Sequence, residues 1–163
     1  MSEINRIVDE LERDHSGDPW HGSPVRAILD GVSARQAAAR PLKGGHSIWE
    51  IVLHMTAWKN ETRRRLSGGV PGEPAEGDWT TIEVDSDVAW QDALQGLEIA
   101  HQELVATVKR LREPQLFEPT RDPRNRATGA GVSHYVLLHG IVQHDAYHAG
   151  QISMLKKTLS AER

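Results

Sequence analysis

Two histidines four residues apart, His144 and His148, are the residues whose types and spacing most directly suggest chemistry. Residues four apart on an α-helix share a face, so both imidazoles would project the same way, one turn apart. Two neutral imidazoles in that arrangement can share one divalent transition metal, each through one ring nitrogen. No glutamate follows the first histidine, so the pair lacks the general base of the zinc metalloprotease motif. A metal held here therefore needs a third ligand from elsewhere in the chain.

His54 is the candidate for that third ligand, because it too lies on an apolar face. It stands between Ile51 and Trp58 on the inner stripe of another predicted helix. The stripe around the histidine pair comprises Leu137, Ile141, His144, His148, Ile152 and Leu155. Buried imidazoles without partners are costly, so we expect the three histidines to be hydrogen-bonded or to bind a metal ion. The sequence thus predicts a divalent metal site at His54, His144 and His148 inside a helical bundle.

The other six histidines have weaker patterns. His101 lies on the inner stripe of a third helix and is open to three interpretations: a fourth ligand, a substrate contact or, the favoured one, a satisfied core histidine. His134 and His139 face away from the metal stripe by helical spacing. The remaining three fall in turn or capping regions, where spacing gives no argument for metal binding: His15, His21 and His46.

Residues close to the histidine pair are candidates for supporting roles. Asp145 lies about 100° around the helix from its neighbour, so we expect it to support a ligand or an interface and not to bind metal. Gln151 either orients a ligand or contacts a neighbouring helix. Tyr147 is a proton donor or, as is commoner, an interface aromatic. Gly140 and Gly150 are expected to permit close helix approach, since each otherwise costs about 1 kcal/mol relative to Ala.

Composition excludes several kinds of chemistry. The chain has no cysteine, which rules out disulfides, thiolate ligands and a cysteine nucleophile. The formal charge of −4 argues against nucleic-acid binding, and the arginine run at residues 63–65 is interpreted as the solvated end of a helix. No stretch approaches the roughly 20 apolar residues that span a bilayer, and the charged N-terminal region lacks a signal core. We expect a cytoplasmic protein that binds neither nucleic acid nor membrane.

Four helical segments position these residues. The first, at residues 4–11, has the i, i+3, i+4, i+7 spacing of an amphipathic helix. The second begins at a capping box of Ser47 and Glu50 and is stopped by Gly68 and Gly69. The third begins near residues 85–86 and carries a regular stripe: Trp90, Leu94, Leu97, His101, Leu104, Val108 and Leu111. The fourth runs from about residue 132 to residue 159, roughly 40 Å of helix.

Shorter elements complete the pattern. A helix start at Ser23 and Pro24 is followed by a stop at Gly31, and Ser33 and Gln36 form a second capping box. Two loops, residues 68–85 and 113–131, are long and irregular, with one weak strand candidate at residues 80–84. The sequence therefore predicts one all-α domain over residues 1–163, a four-helix bundle with short extra helices and two long loops.

Three segments of the chain have a recognisable pattern: residues 47–54 (SIWEIVLH) with Trp58, residues 140–152 (GIVQHDAYHAGQI) and, more loosely, residues 20–22 (WHG). These segments resemble a known family, the DinB/YfiT-like proteins of the DinB superfamily. The resemblance covers nearly the whole chain in order and spacing. It implies a four-helix bundle in which three histidines, here His54, His144 and His148, bind one divalent metal ion such as zinc or nickel. It also implies a homodimer.

The resemblance implies more than one kind of chemistry. Similar proteins include transferases that use the low-molecular-weight thiol bacillithiol and an isomerase that uses mycothiol. We hypothesise metal-dependent transfer of such a thiol to a small electrophilic substrate, or a related metal-assisted hydrolysis; no catalytic residue or organic cofactor site is assigned. The alternative is a non-catalytic, damage-inducible metal-binding protein that acts as a dimeric binding module. A DNA-binding repair factor rests only on the family's name and the arginine run, and the acidic charge makes it weak.

Two observations discriminate between these hypotheses. A pocket beside the metal, lined by Trp49, Trp58 or the arginine-containing loop at residues 121–126, would favour an enzyme. A metal sealed by a fourth protein ligand such as His101 would favour the binding module.

Overall fold

Six α-helices and one short 3₁₀-helix form the described part of the chain. The structure is a computed structural model that describes residues 1–122 and 132–161. The helices are α1 (Glu3–His15), α2 (Val25–Leu29), α3 (Ala34–Ala38), α4 (Ile48–Leu66), α5 (Asp87–Lys109) and α6 (His134–Ala161), with the 3₁₀-helix at Glu113–Phe117. No β-strand occurs within these ranges, so the all-α prediction is confirmed and the strand candidate at residues 80–84 is wrong.

The four long helices, α1, α4, α5 and α6, make the bundle. Helix α4 packs against α5 and α6, and α1 packs against the same two helices. The short helices add to this frame, because α2 packs against α6 and α3 packs against α4 and α5. No helix of the described residues is long and apolar enough to cross a membrane.

Helix α4, which carries one of the candidate ligands, begins and ends where its sequence signals predict. The Ser47 hydroxyl accepts from the backbone N–H of Glu50, and the Glu50 carboxylate accepts from the backbone N–H of Ser47. At the other end Gly68 has φ +86°, and the backbone N–H of Gly69 donates to the carbonyl of Arg64. Because both ends are satisfied locally, the register of α4, and with it the face that carries His54, is set within the helix.

A polar layer divides the apolar core. One apolar cluster joins α2 and α3 to the first part of α4, the first part of α5 and the last part of α6. The other joins α1 to the last part of α4, the last part of α5 and the first part of α6. Along each long helix, buried polar residues lie between these clusters: Asp14, His15, His54, Lys59, His101, Asp145 and His148. The candidate metal ligands are therefore part of a layer that crosses the middle of the bundle.

An ion pair that the sequence does not predict lies within this layer. Lys59 and Asp145 are each 1% exposed, and the Lys59 ammonium donates to a carboxylate oxygen of Asp145. Burial opposes ionisation of Asp145, but the charge of Lys59 and a contact with His144 outweigh it, so the carboxyl pKa lies below its ordinary value. Asp145 is thus a buried partner of α4 and not a surface residue.

Two sequence expectations are wrong at this level. The arginine run is solvated at Arg63 and Arg64, whose side chains are 39% and 42% exposed. The expectation fails at Arg65, which is 4% exposed and bonds to Glu61 and Asp122. Gly140 and Gly150 do not bring helices together within the chain, since both are exposed and an added Cβ at either would meet nothing within 4 Å.

Candidate metal centre

Helices α4 and α6 place His54, His144 and His148 side by side. One ligand nitrogen from each imidazole lies within 4.8 Å of the other two. His54 and His148 are buried, whereas the His144 side chain keeps 25% of its surface exposed. Zinc–imidazole bonds are about 2.0–2.1 Å long, so one ion between the three rings needs only small side-chain adjustments.

Hydrogen bonds set the tautomers of two of the three rings. The Nδ1–H of His54 donates to the backbone carbonyl of Asp78 at 2.6 Å, and a carbonyl oxygen can only accept. The Nδ1–H of His148 likewise donates to Oε1 of Gln151 at 2.7 Å. Both rings therefore keep a free lone pair on Nε2, and Nε2 of His54 faces His144. Gln151 orients a ring, which is one of the two roles considered for it.

The hydrogen bonding around His144 is the observation that best fits a bound cation. Its Nε2 lies 2.9 Å from Nε2 of His54, so one of these nitrogens must carry a proton when nothing else separates them. With that proton on His144, its Nδ1 lone pair points towards Oδ1 of Asp145, 3.7 Å away. Both atoms are buried and have no hydrogen-bond partner. A cation between the Nε2 atoms moves the proton to Nδ1, opposite the carboxylate, so these residues fit a divalent metal.

Burial keeps the ligands in the form that binds metal. It lowers the pKa of His148 to about 4, with a further contribution from the nearby His144. The pKa of His54 is lowered for the same main reason, although the hydrogen bond to Asp78 acts in the opposite sense. Neutral imidazole is the metal-binding form, so protons do not compete strongly for these two rings near pH 7.

The loop between α4 and α5 forms one wall of the site. The indole of Trp79 stacks on His54, with ring centroids 3.9 Å apart, and on His46 at 3.5 Å. It also meets the ring of His148 edge to face at 6.0 Å. The carboxylate of Asp78 accepts from Nε1 of Trp58 at 2.8 Å, which ties the loop to α4. Residues 78–79 therefore hold His54 through both its ring face and its Nδ1 atom.

A cavity of about 320 Å³ lies on the side of the more exposed ligand, His144. Trp58 and Arg65 of α4 form one side, and residues of α6 from Val136 to His144 form the other. The site is therefore walled by the α4–α5 loop near His54 and borders open volume near His144.

His101 and Trp49, which were considered as a fourth ligand and as a pocket residue, lie away from the three ligands. His101 is not at the centre; its ring stacks on His15 at 3.9 Å, and its Nε2 lies 3.5 Å from a carboxylate oxygen of Glu12. The favoured interpretation of His101 was a satisfied core histidine; the ring is buried in the core as expected, but its Nδ1 atom has no hydrogen-bond partner. Trp49 packs against Trp90 in the apolar core and not against the ligands.

The other residues singled out in the sequence lie outside the metal centre. Tyr147 is 65% exposed, so it is not buried at a helix interface within the chain. His134 bonds to the carbonyl of Gln115, and His139 pairs with Glu10, both away from the ligands as predicted. Arg121 is exposed and is absent from the residues that line the cavity. Arg124 and Arg126 lie outside the described residues.

Sequence reasoning missed Asp78, Trp79 and Lys59. One signal was available for Trp79, because a large aromatic residue within a loop rich in Gly, Pro and acidic residues is expected to pack against something. No signal marked Asp78, which acts through its backbone carbonyl, or Lys59, whose partner is 86 residues away.

The fold and the site together define an all-α bundle with a three-histidine cluster between two of its helices. A family model described as the DinB superfamily matches residues 20–152, which is most of the chain. The chain therefore belongs to the DinB superfamily. Neither the curated proteins nor the solved structures gave a match.

Proposed function

We propose that the protein is a metal-dependent enzyme that transfers a low-molecular-weight thiol to a small electrophile, or carries out a related hydrolysis. The observation that carries this proposal is the group of three buried or half-buried imidazoles, two with Nε2 lone pairs fixed by hydrogen bonds, beside an open cavity. Three neutral ligands leave a coordination position for substrate, which is the arrangement of catalytic and not of structural zinc sites.

The chemistry divides between the ion and the chain. A divalent ion lowers the pKa of a water or thiol that binds it and so supplies an anionic nucleophile at neutral pH. His54, His144 and His148 would hold the ion, and the carbonyl of Asp78 and the amide of Gln151 hold two of the rings in place. Because the chain has no cysteine, a thiol can only come from a cosubstrate. Its sulfur would form the new bond to carbon while the leaving group departs with the bonding electrons and the thiol proton passes to water.

Two features favour an enzyme over a non-catalytic binding module. The cavity beside His144 includes Trp58 in its lining, and the position of His101 argues against a fourth histidine ligand. A module that only stores metal needs a closed coordination sphere and no adjacent space for a second molecule.

Metal content tests the centre directly. We expect untagged protein to contain about one equivalent of zinc or nickel by elemental mass spectrometry, because three ligands converge on one space. The His144→Ala/His148→Ala variant should lose it, whereas His139→Ala, on the same helix but away from the ligands, should retain it. Protein that is metal-free and takes up neither zinc nor nickel on reconstitution would show that the three histidines are only a polar core cluster.

Thiol consumption then separates the two functions. Metal-loaded protein is incubated with bacillithiol or mycothiol and a panel of uncharged electrophiles, and the free thiol is followed. Loss of thiol that requires both metal and wild-type ligands supports the enzyme. A fully metallated protein without turnover across the panel supports the binding module.

We also propose that the protein is a cytoplasmic homodimer. The outward face of α6 supports the dimer, since Val136, Tyr147 and Met154 are exposed at helical spacing on one side of it, together with Gly140 and Gly150. The small-molecule substrate and the thiol are its proposed partners.

A further inference from the structure

The cavity beside His144 has a lining that selects its occupant. Its residues come from α4, from α6 and from the two ends of the connection before α6: Trp58, Thr62, Arg65, Asp122, Val132, Val136, Leu137, Gly140, Ile141 and His144. Among the described lining residues, the aliphatic side chains all belong to the segment at residues 132–141. Of the three candidate ligands only His144 lines the cavity, so an occupant meets the metal centre at one end.

The two charged side chains among the described lining residues, Arg65 and Asp122, are already engaged. The Arg65 guanidinium donates through Nε to Glu61 at 2.6 Å and through a terminal nitrogen to the carbonyl of Gly72 at 2.7 Å. Its other terminal nitrogen donates to Asp122 at 3.3 Å. Hydrogen bonds from Arg64 and Arg65 outweigh burial and lower the pKa of Glu61, which stays ionised. The positive charge of Arg65 is thus balanced by carboxylates.

The polar atom of the aromatic wall is already bonded outside the cavity. Nε1 of Trp58 donates to Asp78, on the loop side, and the Arg65 guanidinium lies 5.6 Å from the indole centroid. A flat, uncharged group next to this indole gains dispersion and burial without leaving a buried charge unpaired. An anionic group would meet Asp122 as well as Arg65.

The size of the cavity bounds what it holds. A dry cavity of about 150 Å³ is enough for benzene, so about 320 Å³ accommodates roughly one substituted ring. Gly140 contributes only backbone to the lining, and a Cβ at this position would have room, since it would meet nothing within 4 Å. We expect a branched side chain at this lining position to compete with a ligand for the space.

We propose that this cavity binds the uncharged aromatic or branched aliphatic part of the substrate, and that Trp58 and the bare backbone at Gly140 determine this specificity. The inference rests on the proposed metal-dependent function. It deepens that function by naming the substrate class as a small apolar electrophile whose reactive atom lies next to His144.

Two hydroxamic acids test the inference without turnover. Acetohydroxamic acid carries only a metal-binding head, whereas benzohydroxamic acid adds a phenyl ring that would enter the cavity. Isothermal titration of zinc-loaded wild-type protein should show benzohydroxamate binding at least about tenfold more tightly, because the ring becomes buried. A carboxylate at the para position of the ring should remove that gain.

Two glycine variants make the test specific. Gly140→Leu should abolish the preference for the phenyl compound and leave acetohydroxamate binding unchanged. Gly150→Leu is the matched control, since Gly150 is an exposed glycine of the same helix, equally free of neighbours, and does not line the cavity. Both glycines lie on the same outward face of α6, so an effect on assembly would be shared by the two variants.

The outcomes of these titrations distinguish failure of the cavity proposal from failure of the metal-centre proposal. If zinc and acetohydroxamate bind but the phenyl ring gives no gain, or Gly140→Leu retains the gain, the cavity proposal is wrong and the metal centre stands. If the protein takes up no zinc, the metal centre is wrong and the inference fails with it. A preference lost in Gly140→Leu and retained in Gly150→Leu supports both.

Discussion

At the scale of single residues, the polar layer depends on one buried ion pair. Lys59 and Asp145 are both almost completely buried, and Oδ1 of Asp145, the oxygen not bonded to Lys59, faces Nδ1 of His144. Replacement of one member of such a pair leaves an uncompensated charge in the core, whereas replacement of both by neutral groups of similar shape is often tolerated. The pair therefore connects the stability of the bundle to the orientation of a candidate ligand.

Lys59→Met should destabilise the metal-free protein by about 3–5 kcal/mol, because the Asp145 carboxylate loses its counter-charge. The double variant Lys59→Met/Asp145→Asn should regain most of this loss. Urea unfolding followed by circular dichroism measures both. A single variant as stable as the wild type would show that Asp145 is accommodated without Lys59.

The same double variant tests the role of Asp145 at the metal centre. Without the carboxylate, Nδ1–H of His144 loses its charged neighbour, so zinc affinity should fall roughly 10–100-fold although the protein is folded. Competition with a chromophoric chelator measures the affinity. Asp92→Asn, on the exposed face of α5, is the control. Unchanged zinc affinity in the folded double variant would exclude an orienting role.

At the scale of elements, α1 and α5 are joined by two reciprocal pairs. Glu12 and His15 lie three residues apart on α1, as Glu98 and His101 do on α5, and each histidine faces the glutamate of the other helix. The two imidazoles stack between these pairs. Burial and the neighbouring ring lower the pKa of His101 to about 3, and burial lowers the pKa of His15 as well. The His101 ring is therefore neutral in the folded protein near neutral pH, and the pKa of His15 changes in the same direction.

Folding stability should therefore fall as pH decreases below about 6.5. The unfolded chain binds a proton at His101 there while the folded chain does not, so this residue contributes up to about 1.4 kcal/mol of loss per pH unit. The lowered pKa of His15 adds a loss of the same sign. Above about pH 6.5 both states are neutral at these positions and this contribution to stability is fully present. Unfolding by urea between pH 7 and pH 5 measures the slope.

A His101→Phe variant keeps a stacked ring and removes one titration, so its slope should be shallower than that of the wild type. Asp14 acts in the opposite sense, because burial and the charge of Asp145 raise its pKa to about 6. The variant leaves Asp14 unchanged, so the difference between the two slopes reports the histidine. Identical slopes would show that His101 titrates normally in the folded protein.

At the scale of the whole molecule, the outward face of α6 tests the proposed assembly. Light scattering coupled to size exclusion should give twice the chain mass of 18.1 kDa for wild-type protein. Tyr147→Lys should shift the mass towards the monomer, since it places a charge in the middle of the exposed apolar face. Val88→Lys, at an exposed apolar position on α5, should leave it unchanged. A wild-type monomer at micromolar concentration would contradict the homodimer.

Most of the helices could be predicted from the sequence because their signals are local. The capping boxes at Ser33 and Ser47 and the glycine stop after α4 depend on contacts within about five residues, and all are present. The inward faces of α4 and α6 follow from helical periodicity alone. These two facts also explain how His54, His144 and His148 could be selected together before their proximity was known.

Only the tertiary structure decided what surrounds those three residues. Periodicity predicts which face of a helix is buried. It does not predict which helix packs against that face, or at which position along its axis. The contacts of Lys59 with Asp145, of Asp78 with His54 and of His15 with Glu98 join positions 24 to 86 residues apart. A charged side chain such as Lys59 or Arg65 becomes buried only when long-range packing supplies its partner. The sequence by itself thus determined the helices and the candidate ligands, whereas packing determined the polar layer, the wall at Trp79 and the cavity beside His144.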